Sequence, residues 1–478
     1  MIARLPMLFL VAALSAGGSA SAAGLLDAYG DALRSDPTLR EAAAVRMATL
    51  ESRPQALAAL LPQLSANGEW STSWNSGSNT FSQAVTDGNE QTIVNVQSGF
   101  SSTTNERQAW QLELTQSLFR WDQWVALRQS DKQLAQAEAE FRAAEQNLMV
   151  RVSQRYFDAL AANATLMAAE AAKEAIGRQL EQAEKRFEVG LIAITDVQEA
   201  QASYDSAIAS VIEAKRTVAT ALEGLREVTG QYYSRLADAG PGVPLVAPAP
   251  ADVEAWVQTA LEQNMNLEAS RLAADVSRDS IDLQRAGHFP TLDLFASRSN
   301  DDRDVDRQNK PGQPGAVIFP RRPADSNIWD DTIGVRINVP IYSGGATSSR
   351  VKQATFEHRA ARERLERVAR ETERQVRDAF LSVNSEISRV NALARSVESN
   401  ETALRATEAG FEVGTRTTVD VLNARRNLFE AQRDYAQSRY TYLVNALLLK
   451  EASGSIGEPD LEQVDGWLDE DVPEVTQP

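Results

Sequence analysis

The feature of this chain that most constrains its fold is an internal duplication. The stretch Phe187-Glu188-Val189-Gly190 recurs as Phe411-Glu412-Val413-Gly414, an offset of 224 residues within the 478-residue sequence. Asp196-Val197 reappears at Asp420-Val421 with the same offset, and further markers follow in the same order. A preserved order at a nearly constant spacing is typical of a repeated structural unit. The chain is therefore predicted to contain one string of elements twice rather than several unrelated domains.

The duplication gives the predicted domain organisation. The first repeat covers residues 23–230, the second covers residues 251–456, and a Pro- and Gly-rich linker at residues 231–250 joins them. After the second repeat, residues 457–478 are strongly acidic. Such a segment is predicted to be disordered or loosely packed, because it has little apolar surface to bury.

Each repeat ends in a segment with a coiled-coil pattern. Downstream of Gly190 and of Gly414, apolar or small residues recur at alternating steps of three and four, the 3.5-residue period of a left-handed supercoil. The preceding segments, residues 122–189 and 347–413, contain no proline and would each reach roughly 100 Å as a helix. The two glycines occupy positions typical of helix C-termini. Each repeat is therefore predicted to form a long antiparallel helical hairpin.

Shorter stretches of alternating apolar and polar residues lie between the helical segments. The four predicted strands cover residues 64–74, 110–115, 291–298 and 333–339. Polar loops at residues 76–108 and 300–327 are predicted to separate the two strands of each repeat. On pattern alone, the strands suit either a barrel wall between lipid and water or a half-buried sheet of a soluble protein.

The first residues have the pattern of a secretory signal peptide. An apolar run from Leu5 to Leu14 follows Arg4, and the small residues at 20–22 fit a cleavage site, so residues 1–22 are predicted to be removed. The alternative, a membrane anchor, requires a longer apolar run. No later segment has eighteen consecutive apolar residues, so a mature chain that enters a membrane would do so as a β-barrel. Because four strands are too few to enclose a lumen, several chains would have to build one barrel.

Composition excludes several classes of protein. Lys and Arg number 48 and Asp and Glu number 66, and the net charge of −18 argues against a nucleic-acid binder. The absence of Cys excludes thiolate metal sites and a lipid-modified cysteine, and only His288 and His358 could serve as histidine ligands. Neither a phosphate-binding loop nor a G-x-S-x-G motif is present. The chain is therefore predicted not to be an enzyme and to use no cofactor.

Taken together, these features resemble the TolC family of outer-membrane channel proteins. The most specific stretches are residues 186–198 and 409–422, and residues 287–294 and 340–345 are also similar to the family. The resemblance covers essentially the whole chain after the leader. It implies a membrane α+β fold built by a homotrimer, with four strands per chain in one twelve-stranded β-barrel. A twelve-helix coiled-coil α-barrel with an equatorial mixed α/β belt would continue that β-barrel.

The resemblance implies a function as the exit duct of a tripartite export machine. The chain would lie in the lipid of the cell outer membrane with a large periplasmic part. Its partners would be a periplasmic adaptor (membrane fusion) protein and an inner-membrane RND or ABC transporter. Exported cargo in this family is drugs and other small molecules or, in type I secretion, proteins. The alternative is a soluble periplasmic coiled-coil scaffold or adaptor, which does not account for the four amphipathic strands.

The resemblance also implies which residues act at the two helical turns. Contact with the adaptor is expected at the turn glycines and their small apolar neighbours: Val189, Gly190, Leu191, Val413, Gly414 and Thr415. The closed periplasmic gate is expected to be held by polar links, with Thr195 and Asp196 facing Arg416, and Gln179 facing Glu408. An Arg–carboxylate pair suits a latch because it is charge-assisted and directional.

Two positions depart from the family pattern. Phe411 stands where the family often has Tyr, so a phenolic hydrogen bond is absent there and the latch is expected to rest more on Arg416. Asn423 stands where a ring of Asp commonly narrows the mouth. Asp420, helped by Glu199, the repeat equivalent of Asn423, is therefore expected to set the cation preference of the mouth.

Overall fold

The computed structural model describes residues 22–86, 92–240, 242–311 and 325–469. Nearly all of the predicted signal peptide, residues 1–21, lies outside the described residues. The chain divides into two compact units, and each unit contains segments of both repeats. Unit 1 comprises residues 1–47, 136–271 and 363–478, and unit 2 comprises residues 48–135 and 272–362.

The elements follow the same order in both halves. The first half has helices α1 (Leu25–Ser35), α2 (Pro37–Leu50) and α3 (Ser52–Ala58), strands β1 (Gln63–Thr86) and β2 (Thr92–Phe119), and helices α4 (Trp121–Glu188) and α5 (Ile194–Thr229). A short strand β3 (Asp238–Ala239) follows. The second half has helices α6 (Val253–Gln263) and α7 (Met265–Arg285), strands β4 (Thr291–Pro311) and β5 (Ser326–Asn338), and helices α8 (Ala346–Glu412) and α9 (Thr418–Ser453), before α10 (Glu458–Asp465) and β6 (Leu468–Asp469). The long helices have 68 and 67 residues and the returning helices have 36 each, so the predicted pair of hairpins is confirmed.

The seams predicted from the 3.5-residue period are the buried faces of α5 and α9. Val218 and Leu225 on α5 and Val421 on α9 are essentially inaccessible to solvent. Small residues allow close approach within a hairpin, since a Cβ placed on Gly177 of α4 would lie 3.1 Å from the Tyr204 ring of α5. Burial of these apolar faces, rather than intrinsic propensity, stabilises such long helices. None of the helices in the described residues has the unbroken apolar length that a bilayer crossing requires.

Unit 2 contains a four-stranded antiparallel sheet in the order β1-β2-β4-β5. One face carries exposed apolar and aromatic side chains, among them Trp70, Trp74, Leu112, Ile333 and Val335. The other face carries charges, and Arg107 there donates to Asp301 Oδ2 at 2.9 Å and to Glu69 Oε2 at 3.0 Å. The alternation predicted from the sequence therefore separates an apolar face from a charged one.

The prediction of polar loops at residues 76–108 and 300–327 is wrong for most of the length of these segments. β1 and β2 have 24 and 28 residues and stay paired up to Thr86 opposite Thr92. Runs of Ser, Thr, Asn and Asp carry no apolar period, so the sequence signal ends although the backbone pairing continues. The remaining parts of the predicted loops, residues 87–91 and 312–324, lie outside the described residues.

The linker predicted at residues 231–250 is packed into unit 1. Tyr156 Oη donates to the carbonyl oxygen of Ala237 at 2.7 Å, and Tyr440 Oη donates to Asp238 Oδ1 at 2.5 Å. Burial raises the pKa of both phenols far above the ordinary range, so both remain neutral donors at any physiological pH. The segment that joins the repeats is thus anchored by a buried tyrosine from each long hairpin.

The acidic tail predicted to be disordered is ordered over most of its length. Helix α10 buries Leu461 and Val464, and β6 pairs with β3. Asp465 Oδ1 accepts a hydrogen bond from the amide of Leu25 at 2.6 Å. The prediction was wrong because these carboxylates have specific partners and the tail does contain apolar residues at helical spacing. Residues 470–478 lie outside the described residues.

Candidate functional site at the helical turns

The turns between the paired long helices have the same backbone geometry in both repeats. Gly190 has φ +73° and Gly414 has φ +78°, in the left-handed region that other residues rarely adopt. The amide after each glycine donates to the carbonyl five residues earlier, at 2.9 Å in the first turn and 2.8 Å in the second. These bonds form a Schellman cap. A Cβ on either glycine would meet nothing within 4 Å, so the backbone angle is what requires glycine.

The six residues predicted to contact an adaptor surround these caps and are exposed. Val189, Leu191 and Val413 leave 69, 73 and 75 % of their surface accessible. Thr415 is also exposed, and its hydroxyl donates to the carbonyl oxygen of Gly410 at 3.0 Å. Exposed apolar side chains held on a fixed turn form a small surface suited to a protein partner.

Phe411 contacts the first hairpin through an arginine. The guanidinium carbon of Arg186 on α4 lies 4.7 Å from the centre of the Phe411 ring on α8. At this distance the ring quadrupole attracts the cation. Phe411 has no phenolic hydroxyl, but it still contacts the first hairpin through its ring. This cation–π contact was not predicted from the sequence.

Arg416 lies against its own turn. Its amide donates to the carbonyl oxygen of Gly410 at 3.2 Å, and its Cγ lies 2.8 Å from the place that a Cβ on Gly410 would occupy. Gly410 thus makes room for the arginine side chain at the end of α8. Among the hydrogen bonds and ion pairs within the described part of this chain, none joins Arg416 to Thr195 or Asp196. The link between these residues stays a prediction.

Glu408 pairs with a residue that the sequence reasoning did not select. Arg425 Nη2 on α9 donates to Glu408 Oε1 on α8 at 2.7 Å, and Arg425 Nη1 donates to the carbonyl oxygen of Ala175 on α4 at 3.4 Å. Gln179, the predicted partner, is 5 % exposed, and within the residues described no hydrogen bond connects it to Glu408. The structure therefore gives Glu408 a different partner from the predicted one.

Asp420 has a structural role in addition to its charge. Its Oδ2 accepts from the amide of Thr417 at 2.9 Å, and Thr417 Oγ1 accepts from the amide of Asp420 at 3.3 Å, a reciprocal capping box at the start of α9. The hydrogen bonds from the Thr417 amide and hydroxyl lower the pKa of the Asp420 carboxyl. This carboxylate is therefore ionised at neutral pH. The Thr-x-x-Asp spacing that produces the cap is visible in the sequence.

The remaining residues predicted at the mouth have local partners. Asn423 Oδ1 accepts from Arg426 Nη2 at 2.7 Å, and the backbone carbonyl of Glu199 accepts from Ser203 Oγ at 2.9 Å. Asp196 lies in the first turn of α5, where the helix N-terminus favours a negative charge. The side chains of Asn423 and Glu199 are exposed.

The fold and these turns together define a class of protein. Each half of the chain supplies two strands to one sheet and one long helical hairpin with a glycine turn. This is the architecture of an outer-membrane export channel. The family model described as outer membrane efflux protein matches residues 28–231 and 256–455, which are the two halves, and the chain belongs to this family.

Similarity to known proteins extends over nearly the whole chain. Outer membrane protein TolC of Escherichia coli (strain K12) is 35 % identical over 468 residues, which cover 98 % of this chain and 90 % of TolC. Alkaline protease secretion protein AprF of Pseudomonas aeruginosa is 30 % identical over 447 residues, which cover 93 % of this chain and 87 % of AprF. The crystal structure of CusC superimposes with a TM-score of 0.69 at 20 % identity, covering 91 % of this chain and 92 % of CusC. The predicted family and, at the level of one chain, the predicted fold class are confirmed.

Proposed function

We propose that this protein is the outer-membrane channel through which an inner-membrane pump exports its cargo to the cell exterior. The observation that carries the proposal is the match of both halves to the outer membrane efflux family, together with 35 % identity to TolC over 98 % of the chain. Proteins of this family are transport channels, and the outer-membrane location follows from the same membership. The alternative of a soluble periplasmic scaffold is not favoured, since it gives the long four-stranded sheet no role.

The proposed assembly is a homotrimer. Among the described residues, the sheet order β1-β2-β4-β5 leaves one unpaired edge on β1 and another on β5. Unpaired edges recruit other strands, and four strands are too few to close a barrel with an open lumen. Pairing of β5 of one copy with β1 of the next would close twelve strands, with the apolar face towards the outer-membrane lipid and the charged face towards the lumen.

The proposed partners are a periplasmic adaptor and, through it, an inner-membrane RND or ABC transporter. We propose the two turns as the adaptor contact, and the exposure of the apolar side chains of Val189, Leu191 and Val413 on Schellman caps supports this. Such groups contribute binding energy without a large loss of conformational entropy on association. We propose small molecules and proteins as the two possible classes of cargo. The family description names efflux, and the name of AprF states secretion of a protease.

The proposed gate lies at the same end of the hairpins. Within the part of the chain that the structure describes, no hydrogen bond or ion pair joins Arg416 to the first hairpin, which leaves its guanidinium available to Thr195 and Asp196 of a neighbouring copy. Asp420 and Glu199 supply the proposed negative charge of the mouth, in the absence of a carboxylate at Asn423. An exposed Arg–carboxylate pair is individually weak, about 1 kcal/mol or less, but three symmetric copies would bias a two-state mouth.

A complementation experiment tests this function. Cells that lack their own export channel would receive this chain, and drug susceptibility, protease secretion and the migration of an unheated membrane sample on a denaturing gel would be measured. We expect restored export and a heat-sensitive trimer band in the outer-membrane fraction. Leu191→Asp should abolish export without loss of the trimer, whereas Leu191→Met at the same position should export normally. Recovery of the protein from the soluble periplasmic fraction would overturn the proposal.

A further inference from the structure

One arginine joins three of the long helices near the mouth. Arg425 on α9 forms an ion pair of 2.7 Å with Glu408 on α8 and donates to the carbonyl oxygen of Ala175 on α4 at 3.4 Å. Helices α8 and α9 belong to the second hairpin and α4 belongs to the first. The guanidinium group therefore connects the two hairpins within one chain.

The surroundings of Arg425 strengthen this contact relative to other ion pairs on the hairpins. Many of those pairs, such as Lys185 with Glu181 and Arg367 with Glu371, join residues on one helix and are well exposed. The Arg425 side chain is only 21 % exposed. Partial removal from water lowers the local dielectric constant, and this makes an ion pair stronger and less sensitive to salt.

An apolar cluster lies beside the arginine at the same junction. Leu422, one turn before Arg425 on α9, is buried together with Ile176 of α4 and Ala207 of α5. Residues three apart on a helix share a face, so Leu422 and Arg425 both point from α9 towards the first hairpin. The junction thus combines a non-directional apolar contact with a directional polar one.

The burial of Arg425 has a free-energy cost, because one of its N–H donors is left without a hydrogen bond among the described residues. Arg425 Nε is buried and has no hydrogen-bond partner in the described part of the chain. A buried donor without a partner disfavours the arrangement that buries it. Separation of the hairpins would return this group to water, which offsets part of the loss of the ion pair and keeps the contact reversible.

We propose that Arg425 is the positioning residue that holds the second hairpin against the first and thereby keeps the mouth of this channel closed. The inference rests on the proposed channel function. It follows from a juxtaposition of three helices rather than from the family pattern, in which Glu408 was expected to face Gln179. In this chain the guanidinium of Arg425, and not the side chain of Gln179, is the partner of Glu408.

The forked shape of the arginine side chain is essential to this role. Nη1 and Nη2 reach two acceptors on different helices at once, and Nη2 keeps the charge-assisted bond to Glu408. A lysine has one ammonium group and can keep the ion pair, but it does not reproduce the fixed fork that spans both acceptors. Arg425→Lys is therefore expected to retain part of the function of the wild-type residue.

Single-channel conductance at low voltage in planar bilayers tests the proposal. Loss of a hydrogen-bonded charged group of this kind corresponds to a change of about tenfold in an equilibrium. We therefore expect Arg425→Gln to raise the open fraction about tenfold, with a smaller rise for Arg425→Lys. Arg433→Gln is the matched control, because Arg433 is on the same helix and bonds only to its neighbour Asp434 among the residues described. It should leave the open fraction unchanged.

A double-mutant cycle makes the test independent of any one variant. Glu408→Gln should also raise the open fraction, and combining it with Arg425→Gln should add little, because the two side chains act as one unit. A merely structural role would instead lower the melting temperature of the trimer without changing gating. An open fraction of Arg425→Gln equal to that of the wild type, or fully additive effects in the cycle, would overturn the inference.

The wild-type measurement separates this inference from the proposed function. Trimers that insert and conduct support the channel function, and an unchanged Arg425→Gln would then defeat the role of Arg425 alone. Wild-type protein that forms no trimer and gives no conductance would defeat both. If Arg425→Gln does not assemble, Arg425→Lys and Glu408→Gln still decide the question through their open fractions.

Discussion

The turns of the two hairpins have the same backbone and different surroundings. Both are Schellman caps around a left-handed glycine, Gly190 or Gly414, and the bonds donated by the residue after each glycine agree within 0.1 Å. The first turn is followed by Ala193, which caps α5 without any side-chain hydrogen bond, whereas Thr417 caps α9 with a full capping box. The difference teaches that the two copies kept the geometry of the turn while the polar contacts around it diverged.

The largest effect is expected where the two turns are alike. Gly190→Ala and Gly414→Ala should each weaken the local hairpin end by about 1–2 kcal/mol, because an L-residue in the left-handed region is strained. Amide hydrogen exchange of the turn and its flanking helix ends measures this loss. Gly30→Ala in α1 is the control, because that glycine has ordinary helical geometry and free space around it. Unequal effects of the two turn variants would break the equivalence of the turns.

The next effect concerns the caps that follow the turns. Thr417→Ala should destabilise the start of α9 by about 1 kcal/mol, since it removes the hydroxyl that accepts from the amide of Asp420. Ala193→Ser should stabilise the start of α5, because it places a hydroxyl three residues before Asp196 and completes a capping box there. Hydrogen exchange at the two helix starts measures both changes. If Ala193→Ser has no effect, the two starts differ by more than their capping side chains.

A smaller effect is expected from the cation–π contact between the hairpins. Phe411→Leu should weaken the contact with Arg186 by about 0.5–1 kcal/mol, because an aliphatic side chain has no ring quadrupole. Phe411→Tyr keeps the ring and serves as the control. Conductance of the closed mouth reports the change, with a modest rise for Leu and no rise for Tyr. A rise with Tyr as large as that with Leu would contradict the role of the ring.

The smallest effect is expected when the negative charge of Asp420 is removed. Asp420→Asn should lower the cation preference of the mouth while keeping the cap, because an Asn side chain also accepts from the Thr417 amide. In the wild type, the hydrogen bonds from Thr417 lower the pKa of this carboxyl below its ordinary value of 3.8. Its charge, and with it the selectivity and the cap, should therefore persist at pH 4 and be lost only as the pH falls through the lowered pKa. Ion-selectivity measurements at several pH values check both statements.

The sequence predicted those elements that have a regular apolar period or a glycine with a required angle. Burial of Val218 and Leu225 and the left-handed angles of Gly190 and Gly414 agree with the predicted seams and turns. The ends of the strands were missed, because polar strand residues carry no apolar alternation. The folded structure of the acidic tail was missed as well. The sequence does not show which distant backbone amide will donate a hydrogen bond to a given carboxylate.

The candidate site was less predictable than the fold. The family resemblance paired Glu408 with Gln179, whereas in the structure Glu408 pairs with Arg425. Arg425 and Ala175 are 250 residues apart, and no spacing rule connects an arginine to a carbonyl at that separation. Contacts of this kind depend on how two long hairpins align, and small changes in seam residues decide that alignment.

The bond between Asp465 and the amide of Leu25 has a consequence for the order of folding. The two residues are 440 positions apart, and the same carboxylate oxygen also accepts from the amide of Leu26 at 3.3 Å. Helix α1 therefore has its first amides satisfied by a residue that is synthesised after nearly everything else. Contacts of such long sequence separation form late and slowly. The cap on α1 is therefore completed only after α10 has been synthesised, and a chain cut short before α10 would lack the acceptor for these two amides.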